Sequence, residues 1–260
     1  MNSIRAVALS LAFAAGLWSC GCGRTASVVS SAPPVPEPPP TLETVRVVQL
    51  TVPEPSDMCL DRDGVHWWTV SDNTGLVYRL NRSDCAVVAT LGYHGQDLEG
   101  IWQDPADGTL YVTEEQVRQI VHLDTTGVEL GRVTVPGLGG DPNSGLEGIT
   151  FDPRTRHFLV VQEKDPARLV EADSTGQVLA LHPISYVGDL SGLTYVPSID
   201  HLLIVSDQSA KVCWATTAGD LVTSWNTGVE NGEGVAVDMG LRRIYVVSDS
   251  QGKFYEFKLP

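Results

Sequence analysis

One short pattern recurs five times along the chain. Asp97 onward reads DLEGIWQDP, Gly145 onward GLEGITFDP, Asp189 onward DLSGLTYVP, Gly232 onward GEGVAVD and Pro55 onward PSDMCLDRDG. The copies align without gaps on Ser56, Glu99, Glu147, Ser191 and Glu233, at intervals of about 42 to 48 residues. A repeat of this length, with no helical stripe between copies, is the signature of four-stranded propeller blades. In the second unit, strands are expected at 100–103, 110–113, 119–123 and 129–135. Turn residues Asp107-Gly108, Thr126-Gly127 and Pro136-Gly137 separate them.

The two ends of the repeat region explain each other. The last unit, from Glu233, has room for only three strands, at 234–238, 243–247 and 253–259. A lone strand, Val45 to Leu50 (VRVVQL), precedes the first unit. The simplest closure makes that strand the outer strand of the last blade, which removes a free sheet edge. The expected fold is therefore all-β: a five-bladed β-propeller with four antiparallel strands per blade, closed by the N-terminal strand. The blades fall at about 53–96, 97–144, 145–188, 189–232, and 233–260 plus 44–52.

The first 43 residues stand apart from the repeats. Arg5 and the apolar run Ala6 to Leu17 read as a signal peptide, too short to span a bilayer comfortably. The run ends in Leu17-Trp18-Ser19-Cys20, which resembles the lipobox of bacterial lipoproteins. That resemblance implies cleavage after residue 19, lipidation of Cys20 and a membrane partner reached through the lipid. An outer-membrane anchor facing the periplasm is expected, with the inner membrane as the alternative. An ordinary secretory signal cut nearby is the competing reading. Residues 20–43 form a tether whose stretch APPVPEPPP, at 32–40, favours extended polyproline conformations. The formal charge of −15 argues against a nucleic-acid partner and suits a chain that collects cations. Beyond Cys20 and Cys22 the chain holds three cysteines, Cys59, Cys85 and Cys213, an odd number that matches no zinc spacing. A monomer is expected.

The chemistry concentrates at two positions of each repeat. The first is the aligned residue itself: Ser56, Glu99, Glu147, Ser191 and Glu233. Innermost propeller strands line the channel, so these residues should converge on the axis. Three carboxylates brought together repel one another unless a cation lies between them. Calcium, which takes six to eight oxygen ligands, fits that need. The second position is the acid at the end of the second strand: Asp72, Glu114, Glu163, Asp207 and Asp249. The second strand runs antiparallel to the first, so both sets of side chains are expected on one face of the disc. Turn capping by these acids is the competing explanation for the second set. His94, just before the second repeat, is the one histidine expected near this face.

These motifs, with DLSGLTYVPSIDHLLIVSD at Asp189 and RRIYVVSD at Arg242, resemble the SdiA-regulated (YjiK) family over about Thr44 to Pro260. The resemblance implies a five-bladed, NHL-like propeller with a calcium site in some members, and no established activity. The glutamate–glycine positions are more distantly similar to the metal-bearing positions of lactone-hydrolysing propellers. Two functions are thus carried forward. One is a calcium-binding envelope module that serves as a scaffold for a protein or small-molecule ligand. The other is a calcium-dependent lactonase- or esterase-like hydrolase, with Glu99, Glu147 and Glu233 on the metal and one acid of the second set as base.

Overall fold

The structure is a computed structural model that describes residues 39–141 and 143–260. The leader and Cys20 lie outside the described residues. Strand β1 (Thr44–Gln49) precedes four sheets of consecutive strands. Blade 1 holds β2 (Pro55–Leu60), β3 (His66–Ser71), β4 (Leu76–Asn81) and β5 (Val87–His94). Blade 2 holds β6 (Leu98–Gln103), β7 (Leu110–Glu114), β8 (Gln119–Leu123) and β9 (Glu129–Thr134). Blade 3 holds β10 (Leu146–Asp152), β11 (His157–Gln162), β12 (Arg168–Ala172) and β13 (Val178–Pro183). Blade 4 holds β14 (Gly192–Val196), β15 (His201–Ser206), β16 (Lys211–Thr216) and β17 (Leu221–Asn226). Blade 5 holds β18 (Gly232–Asp238), β19 (Arg243–Ser248), β20 (Lys253–Lys258) and, outermost, β1. The chain is a five-bladed β-propeller closed by its N-terminal strand.

Burial follows position within the blade. The second strands, such as HFLVVQ of β11 and HLLIVS of β15, are buried almost throughout, because both faces of the sheet pack on neighbouring blades. The outermost strands β9 and β13 alternate, since one face meets water. Five apolar clusters fill the five seams between blades. Trp67 and Leu80 meet Tyr245 and Phe254 across the closing seam, and Leu50 and Val52, just after β1, join them. Tyr255 and Phe254 pair with Val47 and Val48 across the closing ladder.

The inner strands are not regular. A β-bulge interrupts the pairing of β2 with β3 at Ser56, of β6 with β7 at Glu99, of β10 with β11 at Glu147-Gly148, and of β18 with β19 at Glu233-Gly234. In blade 4 the Ser191 N–H donates to Val205 O, and Val205 also pairs with Gly192. A bulge adds a residue and re-aims its side chain. Each of the four bulged blades therefore turns its aligned residue out of the ladder, and in blade 4 Ser191 lies just before the first paired residue of β14.

The glycine after each bulge has a steric reason. A Cβ on Gly100 would lie 2.4 Å from Glu147 O of the next blade, and one on Gly192 would lie 2.4 Å from Glu233 O. A Cβ on Gly148 or Gly234 would lie 2.6 or 2.5 Å from the following blade's backbone. Only glycine permits that approach. Blade 1 has Asp57 in this slot and makes the contact differently. The Asp57 carboxylate is buried and accepts from its neighbour Met58 N–H at 2.7 Å and from Ile101 N–H of blade 2 at 3.0 Å.

Candidate metal centre

The four bulges, together with Ser191 just before β14, open into a cup of about 220 Å³. Ser56, Glu99, Glu147, Ser191 and Glu233 all line it, as the strand alignment predicts. Asp72, Glu163, Asp207 and Asp249, each just past the end of a second strand, line it too. The two serines connect the two sets: Ser56 Oγ accepts from Asp72 N–H at 3.2 Å, and Ser191 Oγ from Asp207 N–H at 3.3 Å.

Blade 2 departs from the sequence expectation. Glu114 points away from the cup, where its carboxylate accepts from Tyr93 O–H at 2.8 Å and Gln96 N–H at 3.0 Å and pairs with Arg132 at 3.3 Å. The cup position belongs to Glu115, whose Oε1 accepts from Gly145 N–H at 2.9 Å. A one-residue step along an extended chain reverses the side chain. The signal was in the spacing. Each cup acid follows its aligned residue by 16 positions, as in Ser56 with Asp72 and Ser191 with Asp207. The same count from Glu99 reaches Glu115 and passes over Glu114.

A third set went unread in the sequence, two positions before each aligned residue. It comprises Glu54, Asp97, Gly145, Asp189 and Asn231. Asp189 lines the cup and is held by Ser206 O–H and by Gln208 N–H. Asn143 and Lys164 complete the lining.

Three trios of carboxylates each bring one oxygen per residue within 4.8 Å of the others: Glu115, Glu147 and Glu163; Asp72, Asp97 and Glu99; and Glu54, Asp72 and Asp249. Oxygens bound to one calcium ion at about 2.3–2.6 Å lie at most about 5 Å apart, so these separations fit such an ion. Glu233, Ser56 and Ser191 line the cup without entering a trio.

Mutual repulsion and burial are visible in the acids. Burial pushes Glu147 well above the ordinary carboxylate range, and Glu99, Glu115, Glu233 and Glu163 add to the shift. Burial, then Asp72 and Glu115, does the same to Glu99. Burial raises Glu233 to about 8, with Asp207 adding to it and the Ser191 hydroxyl opposing it. Burial lifts Glu115 to about 7, and burial with Asp72 close by lifts Asp249 to about 6. One Asp249 oxygen is buried with no hydrogen-bond partner. Glu147 is only 7 % exposed, and the acids around it far outnumber Lys164, the one cationic side chain that lines the cup. Partial burial disfavours the Lys164 ammonium, but Glu163, Glu147 and Asp189 outweigh it and hold the pKa above its usual value.

His94 ends β5 and is exposed; it sits against Gly75 and does not line the cup. Cys59, Cys85 and Cys213 are free thiols away from the site.

The sequence profile of the SdiA-regulated proteins matches residues 54–258. Among solved structures, glutaminyl cyclase of Myxococcus xanthus superposes with a TM-score of 0.66 at 15% identity, covering 85% of this chain and 98% of that one. The Cps50 (Swd1) β-propeller domain of Myceliophteria thermophila gives a TM-score of 0.48 at 15% identity, covering 81% of this chain and 65% of that one. Hydrazine synthase of Kuenenia stuttgartiensis gives 0.49 at 15% identity, covering 76% of this chain and 56% of that one. The likeness to the cyclase is one of fold.

Proposed function

The chain belongs to the SdiA-regulated family, and from that premise we propose that its propeller is a calcium-binding module of the cell envelope that presents one charged face to a ligand. The observation that carries this reading is Glu147. Its carboxylate is buried and crowded by four other acids, and one oxygen of Asp249 in the same cup is buried without a hydrogen-bond partner. Leaving a buried carboxylate without compensation is costly, and a hard divalent cation supplies the missing partner. Glu115, Glu147 and Glu163 are the nearest ligands, while Glu99, Glu233, Ser191 and Ser56 contribute oxygens around the rest of the cup. The ion would neutralise the cup and brace neighbouring blades.

Binding is favoured over hydrolysis by the composition of the lining. A lactonase or esterase needs a group placed for proton transfer beside an open coordination position. The cup offers acids that the metal itself would use, and His94 lies outside it. The leader and Cys20 support a lipid anchor on the periplasmic side of a bacterial membrane; mass spectrometry of the mature N-terminus tests that part directly.

Calorimetry with Ca²⁺ on the purified protein, together with melting curves with and without a chelator, tests the cation site. Saturable binding and a higher melting temperature with Ca²⁺ are expected. Absence of both sinks the reading. A panel of lactones and aryl esters with and without Ca²⁺ tests the ranking: turnover abolished by Glu147→Gln would reverse it.

A further inference from the structure

The cup is lined by nine carboxylates and a single cationic side chain, Lys164. The Lys164 Nζ pairs with Glu163, one of the three acids whose oxygens converge with those of Glu115 and Glu147. The corresponding positions in the other blades are Asn73, Gln116, Gln208 and Ser250, none of them charged. The turn after the second strand is therefore made without a cation in four blades. The charge in blade 3 answers to the cup and not to the turn. The side chain is 38% exposed, and Asp165 and Pro166 beside it are exposed as well. It can swing outward without opening the core.

We propose that Lys164 is a tethered counterion, occupying Glu163 in place of a divalent cation and setting the affinity of the cup for that cation. The proposal rests on the cation-site reading above. A carboxylate oxygen committed to an ammonium is withheld from a metal, so an incoming ion must displace Nζ before Glu163 can complete the trio. The displaced ammonium also repels the ion while it stays nearby. Lys164 thereby raises the concentration at which the cup fills, and it limits repulsion among the acids until then. A monovalent ion gains too little from the trio to displace it, so the lysine also favours divalent ions.

The test compares Lys164→Gln and Lys164→Arg with the unmodified protein, using Ca²⁺ calorimetry and melting curves in chelator. Lys164→Gln should bind Ca²⁺ about tenfold more tightly, on the scale of a charge pair at a half-exposed site. It should also melt lower in chelator and gain more from Ca²⁺ than the unmodified protein. Lys164→Arg, which keeps the charge, should stay within about threefold of the unmodified affinity. If the unmodified protein binds Ca²⁺ and Lys164→Gln binds it equally or more weakly, the site stands and the counterion role falls. If neither protein binds, both fall. Binding by Lys164→Gln alone would support both, with the lysine as an effective block.

Discussion

Glu114 and Glu115 are adjacent, chemically identical and both buried, yet they have unrelated tasks. Glu114 ties Tyr93 and the Gln96 backbone to β7, whereas Glu115 faces the cup. Glu115→Gln should weaken Ca²⁺ binding by about tenfold or more and leave the melting temperature in chelator unchanged or raised, because one repelling charge is gone. Glu114→Ala should leave Ca²⁺ affinity within about twofold and lower stability by about 1–3 kcal/mol, the cost of stranding buried donors. Calorimetry and denaturant titration on the two variants separate these outcomes; a loss of Ca²⁺ binding in Glu114→Ala would contradict the assignment. This pair also shows where reading residues alone stops. The repeat made the aligned set legible, since a glycine or its substitute follows each member. Blade 2 offers two glutamates at the end of its second strand, and only the constant interval of 16 residues separates them. Lys164 left no periodic trace, being the exception among its equivalents.

At the scale of the strand, the bulge and the glycine form one device. The bulge aims a side chain into the cup, and the glycine lets the next blade's inner strand press against the place where that side chain leaves the ladder. Gly192→Ala forces a Cβ to within 2.4 Å of Glu233 O, a contact that only backbone movement can relieve. Such overpacking costs about 1–3 kcal/mol or more. The displaced atom belongs to a cup residue, so Ca²⁺ affinity should fall together with stability. Unchanged affinity in a destabilised Gly192→Ala protein would separate the glycine contact from the cup. The strands themselves were legible from turns and apolar runs, and the closing strand from a simple count of three against four. The bulges were not legible, because an extra residue in a ladder is defined by its partner strand. Removal of residues 44–52 takes away β1 and the buried Leu50 and Val52. The loss should be about 3 kcal/mol or more from buried apolar surface alone. Thermal unfolding indistinguishable from that of the intact protein would contradict the closure.

For the whole molecule, the acids of the cup set how stability follows pH. In the unfolded chain, carboxyls ionise near pH 4. In the folded chain without metal, Asp249 keeps its proton to about pH 6, Glu115 to about 7 and Glu233 to about 8. Between these limits the folded protein binds more protons than the unfolded one, so its stability falls as pH rises. Acids held low by partners, such as Asp152 beside Arg154 and Asp238 near Arg82, act below this window. Melting temperature in chelator should therefore decline from about pH 5 to 8.5, and Ca²⁺ should flatten the decline. A rise over that interval in chelator would refute the crowding of the cup. The closing ladder adds an order in time to this balance. Arg46 of β1 reaches its partner Glu256 of β20 across 210 positions of the chain. Strand β1 leaves the ribosome early and waits with an open edge until β20 has been made. The acids from blades at opposite ends of the chain are first pressed together when that ladder forms. The ring's last joining step is then also the moment at which Glu54 and Asp72 first meet the charge of Asp249.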